Sequence, residues 1–181
     1  HIHLLGERLA VAFRRADWPR AITLAQAVHE RASAKFGPEH ASSYVTLLNW
    51  ARTLDEAGQA QAALPKAQQA HAQLLRLAGA ASPRTQDAAF VLALILLELG
   101  DARRAQPLVD GLDAAVLESG RATGQWPAAL EALRGMAMQL RGDARARPKL
   151  EAALTALKEE EDLVQPSRLY LAAASAHARL R

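Results

Sequence analysis

The stretch Ala51-Arg52-Thr53-Leu54-Asp55-Glu56-Ala57-Gly58-Gln59-Ala60-Gln61-Ala62-Ala63 has a second copy 42 residues on. That copy reads Ala93-Leu94-Ile95-Leu96-Leu97-Glu98-Leu99-Gly100-Asp101-Ala102-Arg103-Arg104-Ala105. In both, a small residue precedes a Gly-polar step by seven positions, and Ala follows that Gly by five. The same spacing aligns Gly142-Asp143 and, upstream, Ala16-Asp17. Ala21 joins the column of Ala63 and Ala105, while Arg147 breaks it. Leu9, Ala51, Ala93 and Gly135 make another column, small in three cases. Gly37 and Gly79, Pro65 and Pro107, and His29 and His71 are further matched pairs. Several columns at one period mark a repeat array.

Each unit reads as two helices. Leu47, Trp50, Ala51 and Leu54 fall at i, i+3, i+4 and i+7, which predicts a helix over Ser43 to Ala57. The Gly-polar step ends it, because glycine adopts the left-handed conformation that stops helices. A second helix is predicted from Ala60 to Ala78, with Ala63, Ala67, Ala70 and Leu74 as its buried stripe. Small side chains there let the two helices approach closely. Pro65 and Pro107 are placed in first turns, where a missing N–H costs little. The pattern gives four pairs, about 4–35, 42–78, 84–119 and 127–161, and a capping helix at 167–181. The expected whole is one all-α domain over 1–181, a right-handed superhelical stack. Arg147 predicts an irregular fourth pair.

Composition agrees. Ala and Leu make up about 71 of the 181 residues, a bias toward strong helix formers. Cysteine is absent, which excludes disulfides and thiolate metal sites. The longest apolar run, Ala88 to Leu97, is far short of the roughly 18 residues that span a bilayer. The chain opens on His1 without a signal-peptide pattern, which predicts a piece of a longer, cytoplasmic protein.

These residues resemble a tetratricopeptide repeat (TPR) array over nearly the whole chain. The carrying features are Ala51, Gly58 and Ala63, then Ala93, Gly100 and Ala105. The ordinary repeat is about 34 residues. The longer period resembles the extended repeats of the kinesin light chain and its bacterial relatives. Their inter-repeat loop is similar to Phe36-Gly37-Pro38-Glu39-His40. A HEAT or armadillo stack, with repeats of about 40–47 residues, is the alternative that the period alone permits. The resemblance implies a curved scaffold whose first helices line a concave side.

By helical spacing, the groove candidates are Phe13, Val45, Leu48, Arg52, Phe90, Leu94 and Leu97. They either meet a peptide or helix of a partner or pack under a neighbouring repeat or the last helix. A basic rim is the second candidate. Arg20, Arg103, Arg104 and Arg145 open second helices, where the macrodipole disfavours them, so an acidic partner is one reason to retain them. Nucleic acid is not expected, since no aromatic residues interleave with these arginines. The run Glu159 to Asp162 reads as a solvated helix end.

No metalloprotease motif, nucleophile elbow or phosphate-binding loop occurs, so no catalytic residue, metal or cofactor is expected. His29 and His71 are repeats of one position. The expected function is a non-catalytic protein-interaction scaffold. The alternative is a regulatory or oligomerisation module of a larger bacterial signalling or transcriptional protein, homo-oligomers included. No membrane partner is expected.

Overall fold

The structure, a computed structural model, describes residues 2–120, 126–160 and 168–180. Glu161 and Asp162 of the acidic run, and Ser167 and Arg181 of the expected last helix, lie outside the described residues. Among those described there are nine α-helices and no strand. They are α1 Ile2–Arg14, α2 Trp18–Phe36, α3 Ala41–Glu56, α4 Ala60–Ala78 and α5 Pro83–Glu98. Then follow α6 Ala102–Glu118, α7 Trp126–Leu140, α8 Ala146–Glu160 and α9 Arg168–Ala178. The chain divides into two compact units, His1–Val91 and Leu92–Arg181, with the boundary inside α5. In the first, α2 packs on α1 and α3, and α3 packs on α4. In the second, α7 packs on α6, α8 and α9, and α8 packs on α9.

The turn inside each pair shows how the sequence specifies it. Gly58, Gly100 and Gly142 have φ of 76°, 80° and 72°. Ala16, in the same column, is held at φ 51°. That conformation crowds a Cβ against the following carbonyl. The next residue then caps the second helix. Asp17 accepts from the Arg20 N–H at 3.4 Å, and Asp101 accepts from the Arg104 N–H at 3.0 Å. Gln59 makes no side-chain cap bond.

Second helices bury one stripe at i, i+4, i+7 and i+11. In α4 it is Ala63, Ala67, Ala70 and Leu74, all fully buried. In α2 it is Ala21, Ala25, Val28 and Ala32, and in α6 Ala105, Val109, Leu112 and Val116. The fourth unit corrects the role expected of Arg147. Its stripe is Ala146, Leu150, Ala153 and Leu157, also buried, while Arg147 is exposed. Each member stands 41 residues after its counterpart in α6, so one residue is missing between Asp143 and Ala146. The packing column is intact and Arg147 is simply its neighbour.

Pro65 and Pro107 also differ from expectation. Each is the sixth residue of its helix, in the second turn. Proline there removes the bond to the carbonyl four residues back. Those carbonyls belong to the exposed Gln61 and Arg103, where water can replace the lost donor.

In sequence register the first-helix column Leu9, Ala51, Ala93, Gly135 aligns with the second-helix column Ala25, Ala67, Val109, Leu150. In the first and last pairs a large residue in one column stands against a small one in the other. The extreme case is measured directly. A Cβ built on Gly135 would stand 2.7 Å from Leu150 Cγ and 2.8 Å from Cδ2. Leu150 therefore occupies the space a side chain at 135 would need.

Two stability outcomes are expected in thermal melts. Ala16→Gly relieves the left-handed strain and gains up to about 1 kcal/mol after the entropy of glycine is set against it. A lower melting temperature for that variant would mean the turn does not hold this conformation. Gly135→Ala overpacks the pair and loses about 1–3 kcal/mol. Adding Leu150→Val recreates the Ala93–Val109 combination and should recover part of that loss. Strict additivity of the two substitutions would show that the residues do not share one space.

Candidate interaction surface

The seven groove candidates separate by burial. Leu48, Leu94 and Leu97 are only 3–5% exposed, so they belong to the core. The reason is clear in α5, where Val91 through Leu97 are all buried. A helix apolar on every side is enclosed on every side. Phe13, Val45 and Phe90 are half-buried, and Arg52 is exposed. These four lie in the first unit, on α1, α3 and the start of α5. Phe13 packs edge-to-face on Trp18, with ring centroids 5.3 Å apart. In the second unit Leu97 lines a cleft between α5, α7 and α9. Its other walls include Glu98, Met136, Leu140, Arg168 and Leu171.

The arginines of the expected rim have local explanations in two cases. Arg104 pairs with its own cap, Asp101, at 3.5 Å. Arg145 reaches Asp143 at 2.7 Å through Nη2, and its backbone N–H donates to the same carboxylate at 3.0 Å. Those two bonds pull the Asp143 carboxyl down to about 2. The cap aspartate thus offsets the unfavourable charge at the helix start. Arg20 and Arg103 are exposed, and their side chains have no partner among the described residues.

A second charge network, which sequence spacing did not reveal, joins three helices of the second unit. Arg134 binds both Asp113 of α6 and Glu131 of α7. Lys149 of α8 binds the other oxygen of Glu131 at 2.6 Å. Partial burial pushes the Glu131 carboxyl up, but the two cations together hold it below its usual value. Arg134 takes the position in α7 that Trp50 takes in α3. Trp50 is stacked by Lys66, whose Nζ lies 4.4 Å from the ring centroid, and lies 6.0 Å from the His29 ring. His29 Nδ1 bonds the Ser43 carbonyl at 3.1 Å, which ties α2 to α3. Burial pushes the His71 imidazole below its usual value. Among the described residues no three His, Cys, Asp or Glu side chains could hold a metal ion. None of the described helices is long and apolar enough to cross a membrane.

No family model matches this sequence, and no curated protein matches it. A solved structure does: that of kinesin light chain nearly identical TPR-like repeats from Podosopora anserina. The match has a TM-score of 0.71 and covers 99% of this chain and 86% of that one, at 21% identity.

The chain has a TPR-like repeat fold.

The HEAT or armadillo alternative falls away with that match. In TPR-like terms α9 stands where the first helix of a fifth repeat would begin. Its fastening explains Arg147. That guanidinium donates to the Leu180 carbonyl just past the end of α9, where cations complement the helix dipole. His177 of α9 lies 3.1 Å from Glu151 of α8. Arg168, at the start of α9, donates to Glu98 of α5 at 2.7 Å. The last helix of the TPR-like stack is thus held at both ends.

Arg147→Ala should therefore loosen α9 by about 0.3–1 kcal/mol, with no gain from a filled packing column. Hydrogen exchange followed by mass spectrometry should show faster exchange in α9 and unchanged exchange in α4. A variant more stable than the parent would overturn this account of Arg147.

Proposed function

We propose that this chain is a non-catalytic protein-interaction scaffold, which binds a peptide or helix of a partner on the exposed side of its first helices. The single observation that carries this is the exposure of four candidates on first helices. Phe13, Val45 and Phe90 on first helices keep part of their surface open, and Arg52 is exposed. Partly open apolar side chains and an exposed arginine suit a partner segment that brings apolar groups and one acidic residue. Arg20 and Arg103 are available for acidic contacts at other points of the chain.

A second reading, a regulatory or oligomerisation module of a larger protein, is favoured by a different observation. Leu4 and Val11 on α1 are 49% and 40% exposed and fall seven residues apart, on one face of the helix. Such a face can pair with another copy or with a neighbouring domain. Light scattering over a range of concentrations distinguishes this reading from a monomeric scaffold.

The direct test is affinity capture from lysate of the source organism. It compares the parent with the Val45→Asp plus Arg52→Glu variant, both first shown by circular dichroism to be equally helical. A protein held by the parent and lost by the variant is expected. Equal capture by both would remove this surface from the account.

A further inference from the structure

One face of α1 is open where the matching face of later first helices is closed. Leu4, Arg8 and Val11 fall at i, i+4 and i+7, and all three are exposed. One period on, their counterparts are Thr46, Trp50 and Thr53 of α3. Three periods on, they are Leu130, Arg134 and Ala137 of α7. Thr46, Trp50 and Arg134 are half-buried, and Thr53, Leu130 and Ala137 are buried.

In both later cases the preceding second helix reaches this face. His29 Nδ1 of α2 lies 3.3 Å from the Thr46 hydroxyl, and its ring lies 6.0 Å from that of Trp50. Asp113 of α6 binds Arg134. His29 and Asp113 are one repeat position, two periods apart. The face is therefore the seat of a second helix, which meets its centre with a polar side chain. On α1 the centre is Arg8, in the place of Arg134, whose answer on α6 is a carboxylate. Arg15 continues the same face, since its N–H still bonds the Val11 carbonyl at 3.2 Å. Arg8 and Arg15 are exposed, and their side chains have no partner among the described residues. The one carboxylate of α1, Glu7, lies on the flank, 3.3 Å from His3.

We propose that Leu4, Arg8, Val11 and Arg15 form a docking face for an acidic amphipathic helix of another protein. That helix lies on α1 as α6 lies on α7. It sets Asp or Glu against Arg8, further acidic charge toward Arg15, and apolar side chains over Leu4 and Val11. Charge selects this occupant. The α1 of a second copy would bring the same arginines to Arg8 and Arg15, and like charges facing one another disfavour association. The proposal shares its face with the oligomerisation reading but names a different occupant. It does not use the surface of Val45, Arg52 and Phe90.

The experiment uses the full chain and a labelled peptide of residues 102–118, the helix that reaches the matching face of α7, read by fluorescence anisotropy. A hydrocarbon staple joins positions 107 and 111 in place of the exposed Pro107 and Gly111, because so short a helix is marginal alone. Saturable binding is expected. Arg8→Glu should weaken it by about tenfold or more, since it sets like charges together. Asp113→Arg in the peptide should restore binding to that variant. Leu4→Asp plus Val11→Asp should abolish it. These side chains are exposed, and circular dichroism first shows the variants to be equally helical. No saturation, indifference to Arg8→Glu, or failure of the Asp113→Arg rescue would overturn the proposal. So would self-association, seen by light scattering, that is lost with Leu4→Asp plus Val11→Asp, since the face would then belong to a second copy. The titration is repeated on the Val45→Asp plus Arg52→Glu chain. Unchanged binding there separates this face from that surface, whatever the affinity capture shows, and lost binding would count against it.

Discussion

The fold depends on how closely the two helices of a pair can approach. Ala and Gly contribute little transfer energy themselves, since each buried carbon group is worth only about 0.8 kcal/mol. Their contribution is geometric. With almost no side chain between them, the helices of each unit bury larger residues as well, Leu54 and Leu74 in the first and Leu112 and Leu157 in the second. Interiors tolerate little change in local volume. The opposed sizes of aligned residues in the first and last pairs fit that limit, Leu9 with Ala25 at one end and Gly135 with Leu150 at the other.

Charge is used mainly to fasten what packing has placed. Asp101 and Asp143 cap the starts of second helices and neutralise the arginines that follow. Glu131, with Arg134 and Lys149, joins α7 to its own second helix and to α6 through Asp113. Arg168 and Arg147 hold the two ends of α9. In each case the cation lies beside a group whose position the apolar columns had already set. This arrangement suits a binding protein, because polar fasteners at an edge can open while the stripes behind them stay closed.

Much of this was legible in the sequence. The period, the Gly-polar turns and the Ala63–Ala67–Ala70–Leu74 stripe are local patterns, and local patterns survive without knowledge of neighbours. What one helix presents to the next depends on partners that helical spacing does not contain. Leu48, Leu94 and Leu97 sit opposite the obvious stripe, yet they are buried, because a first helix is covered on several sides. The unbroken apolar run Ala88 to Leu97 was the available sign of it. Arg147 misled for another reason: a column assumed to recur at 42 residues was judged one position too late. The Asp113–Arg134–Glu131–Lys149 network and the cleft beside α9 had no such sign, since both join helices distant in sequence.

The missing residue before α8 shows where this chain tolerates a change of length. Each residue added or removed inside an α-helix turns everything beyond it by about 100°. A deletion early in α8 would have swung Leu150 outward and brought Glu151 toward Gly135. Placed between Asp143 and Ala146, the same loss leaves every later side chain on its proper face. Insertions and deletions accumulated over evolutionary time should therefore gather at the turns within pairs and be purged from the helices. Copies of the repeat can then drift apart in period while continuing to stack.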